Sequence, residues 1–389
     1  MTQNKLEISP IKRLLVVSTE DSTKLSSWSN VPYLFCKTLE EQGIALRRYT
    51  LKESVVLGYV VRAVQKIKEL LGAQKSTWSY ARSSYYHWSA QRQIDREIGA
   101  APVDGVLVLS FSYGPSLPAK VPIFLFGDWS LDYAISCQRE RSADSLERAS
   151  IRRENRLITA ASHTFVLFPL AERHIKYTLP DARTHYLGNV INTLELPEER
   201  DIYLKCNSFS LLFVGKPHYI EGARQLIAAY QKLTARFPQI SLDIIGMDRE
   251  HFADLPDGVV CHGYLDKGNE AQRRQYYSLL RKAKIFVNPN PRWASFSAAL
   301  EAMYFYTPLI TSAYAEMEET FGREISFGVY YKDNHETPLD QLIANLLTDP
   351  EYAVKARNAH DAASPFSWHA YVNRFLGVIN NEEVAREHL

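Results

Sequence analysis

Short apolar runs recur along the chain, and most are followed by a longer stretch whose apolar positions repeat at helical spacing. The first series reads LLVVS (14–18), ALRRYTL (45–51), GVLVLSFS (105–112), PIFLFGD (122–128), TFVLF (164–168) and THYLGN (184–189). The second reads SLLFVG (210–215), SLDIIG (241–246), VVCHGY (259–264), IFVNPN (285–290), PLITS (308–312) and VYY (329–331). Runs of this kind predict strands buried on both faces, and the stretches between them, such as 221–237 and 269–283, predict the covering helices. Two βα series, split by the polar segment 191–208, predict an α/β fold of two Rossmann-like doubly wound domains facing a central cleft. Ligands of such folds bind beyond the carboxyl ends of the strands, so the cleft is the expected place for a site.

Residues 54–98 stand apart. Val55, Val56, Val60, Val61, Val64 and Ile67 form one helical stripe, followed by the aromatic and basic run SYARSSYYHWSAQRQIDREI. The stripe reads either as domain core or as a helix lying on a membrane surface. Charge adds to this picture: residues 1–190 carry 25 Lys and Arg against 18 Asp and Glu, the remainder 20 against 26. A basic half suits an anionic acceptor or the inner face of a membrane, although a solvated basic face has the same composition. The basic residues are dispersed, so nucleic acid is not an expected partner. The start of the chain has no signal-peptide pattern and no apolar run is long enough to span a bilayer, which predicts a cytoplasmic protein. Cys36, Cys137, Cys206 and Cys261 form no paired motif, so neither a disulfide framework nor a zinc site is expected.

Candidate chemistry lies at the strand ends of the second series. SLLFVG ends at Gly215, Lys216 follows, and a helix opens near Gly222; a helix N-terminus and a mobile cation together suit a phosphate. His262-Gly263-Tyr264 ends another strand, where glycine lets the backbone approach a flat ring, with His262 read as a packed histidine. Ser295, Ser297, Ala298 and Ala299 open a helix carrying Glu301; small residues there let amides reach a diphosphate, and the carboxylate can accept from ribose hydroxyls or simply favour its helix terminus. In the first series Asp128 ends a strand, either to orient or deprotonate a hydroxyl or to cap the following helix.

Taken in order, FVGKPHYIEGARQLIAAYQKL, LDIIGMD, VCHGYLDK, YYSLLRKAKIFVNPN and ALEAMYFYTPLITS resemble the family 4 glycosyltransferases of the GT-B fold, over at least residues 210–325. SPFSWHAYVNRFLGVI (364–379) is similar to that family's C-terminal segment, and SSWSNVPYLFCKTLEEQGIAL (26–46) resembles its acceptor-side loop and first helix. The resemblance implies an acceptor domain over 1–192, a sugar-nucleotide domain over 193–365 and a returning helix over 366–389. It further implies a nucleotide-diphosphate sugar held by Gly215, Lys216, His262–Tyr264, Ser297–Ala299 and Glu301, with Trp28, Ser29, Asn30 and Asp128 presenting a glycan or lipid-linked acceptor. Transfer with retention of configuration, in bacterial surface polysaccharide synthesis, is the implied activity. No metal or other cofactor is expected, because no DxD-like pair ends a strand of the second domain.

Two departures from the family pattern stand out. Of two acids eight positions apart, Glu301 is the second, but the first position holds Trp293; the usual lysine before the helix glycine is Glu221. Three readings follow. Arg292 or Arg224 replaces the cation while Trp293 stacks on or shapes the sugar pocket; Glu221 points to solvent and Lys216 with the amides suffices; or the chain is a non-catalytic nucleotide- or glycan-binding subunit that kept the fold.

Overall fold

The computed structural model describes residues 10–53, 58, 59, 63, 66, 76–291, 295–332 and 337–380. The chain divides into two compact units, one comprising Met1–Gly188 with Tyr371–His388, the other Asn189–Ala370. Of the valine stripe, Val55, Val56, Val60, Val61, Val64 and Ile67 lie outside the described residues, as do Arg292 and Trp293.

The first unit is built on a parallel sheet of β1 (Arg13–Ser18), β2 (Ala45–Thr50), β3 (Gly105–Val108), β4 (Ile123–Gly127), β5 (His163–Val166) and β6 (Thr184–Tyr186), in the order β2-β1-β3-β4-β5-β6. Its helices include α1 (Val31–Glu41), α2 (Ser84–Ala100), α3 (Ser145–Ala160) and α4 (Pro169–Thr178). Every residue of β3 and β4 is buried, which is why those runs are continuously apolar rather than alternating. Phe35 of α1 packs against Phe126 of β4 at 4.9 Å between ring centroids, and Phe375 sits 4.7 Å from Phe165 and 5.2 Å from Phe35. The C-terminal stretch that supplies Phe375 and Tyr371 thus fills the core of this unit.

The second unit carries α5 (Asp201–Cys206), β7 (Ser210–Val214), α6 (Ile220–Leu233), β8 (Ser241–Ile245), β9 (Val259–Cys261), α7 (Glu270–Lys282), β10 (Ile285–Asn288), α8 (Phe296–Tyr304), β11 (Leu309–Ser312), α9 (Ala315–Phe321), β12 (Gly328–Tyr331), α10 (Leu339–Leu347) and α11 (Tyr352–Ala363). Its strands run parallel in the order β12-β11-β10-β7-β8-β9. The order reverses between β7 and β10, as it does between β1 and β3 in the first unit. At such a switch point the loops leaving the two neighbouring strands diverge and open a crevice at their carboxyl ends.

The polar segment 191–208, read from sequence as a divider, belongs to the second unit and contains α5. Lys205 on this helix is fully buried. Its Nζ donates to the Leu280 carbonyl at 2.6 Å, the Ala283 carbonyl at 2.9 Å and Thr307 Oγ1 at 2.7 Å. Burial pushes this ammonium down to about 7, with the Asp201 carboxylate acting in the opposite direction. The lysine therefore works as a cap for the last turn of α7, whose final carbonyls have no partner in their own helix. Lys205→Met keeps the volume but strands three acceptors, and should cost roughly 2–5 kcal/mol. Urea unfolding checks this, and a loss of under about 1 kcal/mol would show that other donors reach those carbonyls.

Candidate functional site

In the second unit, glycines line the ends of three neighbouring strands. Gly215 donates its N–H to the Ile245 carbonyl at 2.9 Å, Gly246 to the Gly263 carbonyl at 2.7 Å, and Gly263 to the Met247 carbonyl at 3.1 Å. A Cβ on Gly246, at φ +96°, would sit 2.6 Å from the Gly215 carbonyl oxygen. Only glycine allows backbones this close, and the result is a bare peptide surface at the strand ends. Lys216 stands beside it with its side chain exposed, and His218 follows two residues on. Partial burial, and then the Lys216 charge, lower the pKa of the His218 imidazole. Across the switch point, a methyl on Gly222 would lie 2.9 Å from the Asn290 amide nitrogen, so α6 begins hard against the loop leaving β10.

The helix after that loop starts at Phe296, preceded by Ser295 in the left-handed region at φ +51°. The amides of Ala298 and Ala299 both donate to the Ser295 carbonyl, at 2.9 and 3.0 Å, so two of the three amides expected to face a phosphate are engaged in the helix's first turn. Ser297 is exposed. Glu221, in the first turn of α6, points to solvent, its side chain 64% exposed and 3.9 Å from Arg224. That geometry agrees with the solvent-facing Glu221 of the second reading.

Glu301 is placed differently from an open ribose acceptor. Its side chain is 4% exposed, and Lys267 Nζ donates to both carboxylate oxygens at 2.6 and 2.8 Å. Tyr276 adds its hydroxyl to the same carboxylate at 2.7 Å, and the Lys267 ammonium lies 4.3 Å from the Tyr276 ring centroid. The ammonium also reaches the Asn192 carbonyl at 3.0 Å. His262 is packed: its Nε2 meets Asp243 Oδ1 at 2.8 Å, and the Gln275 amide lies 3.0 Å from Nδ1. Burial would raise the Asp243 carboxyl, but His262 and Lys282 hold it below the usual range. Tyr264 projects outward, 63% exposed. Sequence reading missed Lys267, Asp243, Tyr276 and Gln275, because their roles come from long-range pairing and carry no local signal.

In the first unit the structure brings Trp28 against Asp128, and Asn30 follows two residues after Trp28 in the same turn. Trp28, Ser29 and Asn30 all lie at positive φ, at 34°, 54° and 73°. Non-glycine residues there cost about 1–3 kcal/mol each, and such strain concentrates at functional loops. The loop is braced where Glu20 accepts the Trp28 amide at 2.7 Å and Ser27 Oγ donates to the Asp21 carbonyl at 2.7 Å. Trp28 packs on Phe126 at 5.8 Å and its side chain hydrogen-bonds Asp128. Burial raises Asp128 from 3.8 to about 6, with Trp28 pulling the other way. Ser130, not Asp128, caps the helical turn Leu131–Tyr133, accepting the Tyr133 amide at 3.2 Å. The cap alternative for Asp128 is therefore corrected. Asn30, 5% exposed, has a side-chain Nδ2 with no hydrogen-bond partner among the described residues.

Comparisons with known proteins agree with this architecture. Residues 208–349, which lie in the second unit, match the family model described as Glycosyl transferases group 1. No curated protein matches the sequence. Among solved structures the chain is similar to sucrose-phosphate synthase from Thermosynechococcus elongatus, at 15% identity and a TM-score of 0.65, covering 95% of this chain and 98% of that one. It is similar to a glycosyltransferase from Rickettsia africae at 12% identity and TM-score 0.63, over 96% and 98% of the two chains. The Anabaena protein HepE, solved with UDP and glucose, matches at 14% identity and TM-score 0.57, over 95% and 99%. These likenesses show the fold: α/β, two-domain, GT-B.

Asp128 generates a prediction about stability. Because its folded pKa is raised to about 6 from 3.8, the protein is favoured below the lower value and loses that stability as pH rises through the upper one. Asp128→Asn keeps an acceptor for Trp28 and carries no charge. It should melt above wild type at about pH 7, and the gain should vanish near pH 4. A melting temperature that is lower at neutral pH would show that the ionised carboxylate holds the loop.

Proposed function

We propose that the protein is a retaining glycosyltransferase of the family 4 type, moving a sugar from a nucleotide-diphosphate donor to a hydroxyl of a glycan or lipid-linked acceptor. The observation that carries this reading is that the Glycosyl transferases group 1 match spans the glycine-lined strand ends, with Lys216 beside them. On this reading the bare backbone at Gly215 and Gly263 accepts the nucleotide, the His262–Tyr264 turn holds the base, and Lys216 meets the diphosphate. Ser297 offers the first-turn amide that is not donated to Ser295. Ala298 and Ala299 contribute small size rather than amides. Glu301 contacts the ribose only by sharing its carboxylate with Lys267, or it positions the loop while the nucleotide binds outside it.

In the first unit Asp128 and the side-chain amide of Asn30, unpartnered among the described residues, orient the acceptor hydroxyl, with Trp28 and Ser29 shaping its loop. The new bond forms between that hydroxyl oxygen and the anomeric carbon as the bond to the diphosphate breaks, and a diphosphate oxygen takes the proton. No metal is needed in this scheme, since Lys216 and backbone dipoles neutralise the leaving group. A role in bacterial surface polysaccharide synthesis, at the inner face of the membrane, fits the basic first half of the chain. Among the described residues no helix is long and apolar enough to cross a membrane.

One observation favours a second reading, a non-catalytic nucleotide- or glycan-binding subunit: Glu301 is already saturated by Lys267 and Tyr276. Slow hydrolysis of a sugar nucleotide without acceptor separates the two, since an enzyme shows it and a binding subunit does not. A thermal-shift panel of UDP, GDP, dTDP, CMP and their sugar conjugates should raise the melting temperature with one base, and further with one sugar. Lys216→Ala should weaken that binding by about tenfold, the loss of one charge-assisted contact. Asp128→Asn should lower turnover in a folded protein. Unchanged affinity in Lys216→Ala removes the diphosphate role; near-normal turnover in Asp128→Asn removes the acceptor role.

A further inference from the structure

The strand exit that carries Asp128 continues through the turn Leu131–Tyr133 into a π-helical turn, Ala134–Gln138. Single π turns are uncommon and recur at functional sites, because they push a side chain out of helical register. Here the turn carries Cys137, which is exposed. Its Sγ lies 3.7 Å from Nδ1 of His174 on α4, and Nε2 of the same ring lies 3.0 Å from Asp132 Oδ2. The Asp132 carboxylate accepts the Nε2 proton, which leaves the Nδ1 lone pair directed at the thiol. Ser136 Oγ stands 3.6 Å from Sγ on the other side. The Tyr133 ring, 5.5 Å from the imidazole, closes one face.

The trio is not arranged for a metal. Thiol and carboxylate address opposite nitrogens of the ring, so their atoms cannot converge on one ion; among the described residues no group of three such side chains does. The arrangement is instead that of a nucleophile, its base, and the group that orients the base. We propose that Cys137 is a reactive thiol and a site of reversible mixed-disulfide formation with low-molecular-weight disulfides. His174 Nδ1 takes the thiol proton and Sγ attacks one sulfur of the incoming disulfide. A new S–S bond forms as the old one breaks, and the second sulfur leaves as a thiolate with the bonding electron pair. No further oxidant is required, because the disulfide is itself reduced.

The other cysteines serve as internal comparators. Cys36 is buried, with its thiol pushed up to about 11, and burial also raises Cys261. Cys206 is half-buried. The groups facing the Cys137 thiol are His174 of α4 and Ser136 of its own turn. Asp132 lies behind the ring, Glu154 of α3 lies close to Asp132, and Arg139 and Glu140 follow along the chain.

The test uses the full-length protein and oxidised glutathione, with adducts located by mass spectrometry over time. Cys137 should be modified first, about tenfold faster than Cys206 or Cys261 at neutral pH. His174→Gln should slow modification at Cys137 by about tenfold without changing the melting temperature. Asp132→Asn, which retains an acceptor but no charge, should give an intermediate rate and move the rate-against-pH midpoint upward; a purely structural role would leave that midpoint in place. Equal rates at Cys137 in wild type and His174→Gln would overturn the proposal. If His174→Gln does not fold, the wild-type order of modification decides, and Cys206 or Cys261 reacting ahead of Cys137 is the refuting result.

Discussion

The candidate donor site in the second unit depends on one buried ion pair. Lys267 follows the glycine turn after β9, and Glu301 lies in α8; their contact, with Tyr276 of α7 and the Asn192 carbonyl, ties four separate segments to a single ammonium. Two charges removed from water cost several kcal/mol each unless their hydrogen-bonding capacity is met. Here it is largely met: both Glu301 oxygens are engaged, and the ammonium has a carbonyl and an aromatic face as well as the carboxylate. Such a pair adds little net stability over an apolar replacement, but it admits few alternative geometries. The loop from β9 and the middle of α8 thereby keep a fixed separation, near the strand ends where ligands of such folds bind.

The first unit shows the opposite device. Three successive left-handed residues, none of them glycine, are held by the Trp28 amide donating to Glu20, by Ser27 donating to the Asp21 carbonyl just before them, and by packing of Trp28 on Phe126. That conformation is unfavourable in itself, and the Asp128 carboxylate it touches is disfavoured in its ionised form. Trp28 thus joins two local costs, its own left-handed backbone and the buried Asp128, and the side-chain amide of Asn30 in the same turn has no partner among the described residues. A loop optimised only for stability would carry glycine at one of these positions and a neutral side chain at 128.

How much of this was legible in the sequence depends on whether the signal was local. Among the described residues all twelve strands fall on runs picked out by pattern, within a few residues; central ones such as β3 and β4 are apolar throughout because both faces are buried, whereas edge strands such as β2 keep polar positions. Gly215, Gly246 and Gly263 could be placed at strand ends for the same reason. What pattern could not show was pairing at a distance. Lys205 looked like part of a polar divider and is a fully buried cap; Glu301 looked available and is held by a lysine thirty-four positions earlier. The amides of Ala298 and Ala299 could not be assigned from residue size, because the left-handed Ser295 that captures them has no marker in composition.

The departure at Glu221 can be weighed in the same terms. An acid in place of a cation is costly beside a diphosphate only if the two charges share a low-dielectric space. Glu221 is 64% exposed and turned toward Arg224, so its field is weakened by water and salt before it reaches the strand ends. Lys216 lies on the loop side of Gly222, whose close approach to Asn290 fixes where α6 begins. The exchange of lysine for glutamate therefore removes one attraction without placing a buried repulsion against the ligand. On the proposed reading, compensation is required only for the missing cation, a role assigned there to Lys216 and the N-terminal dipole of α6.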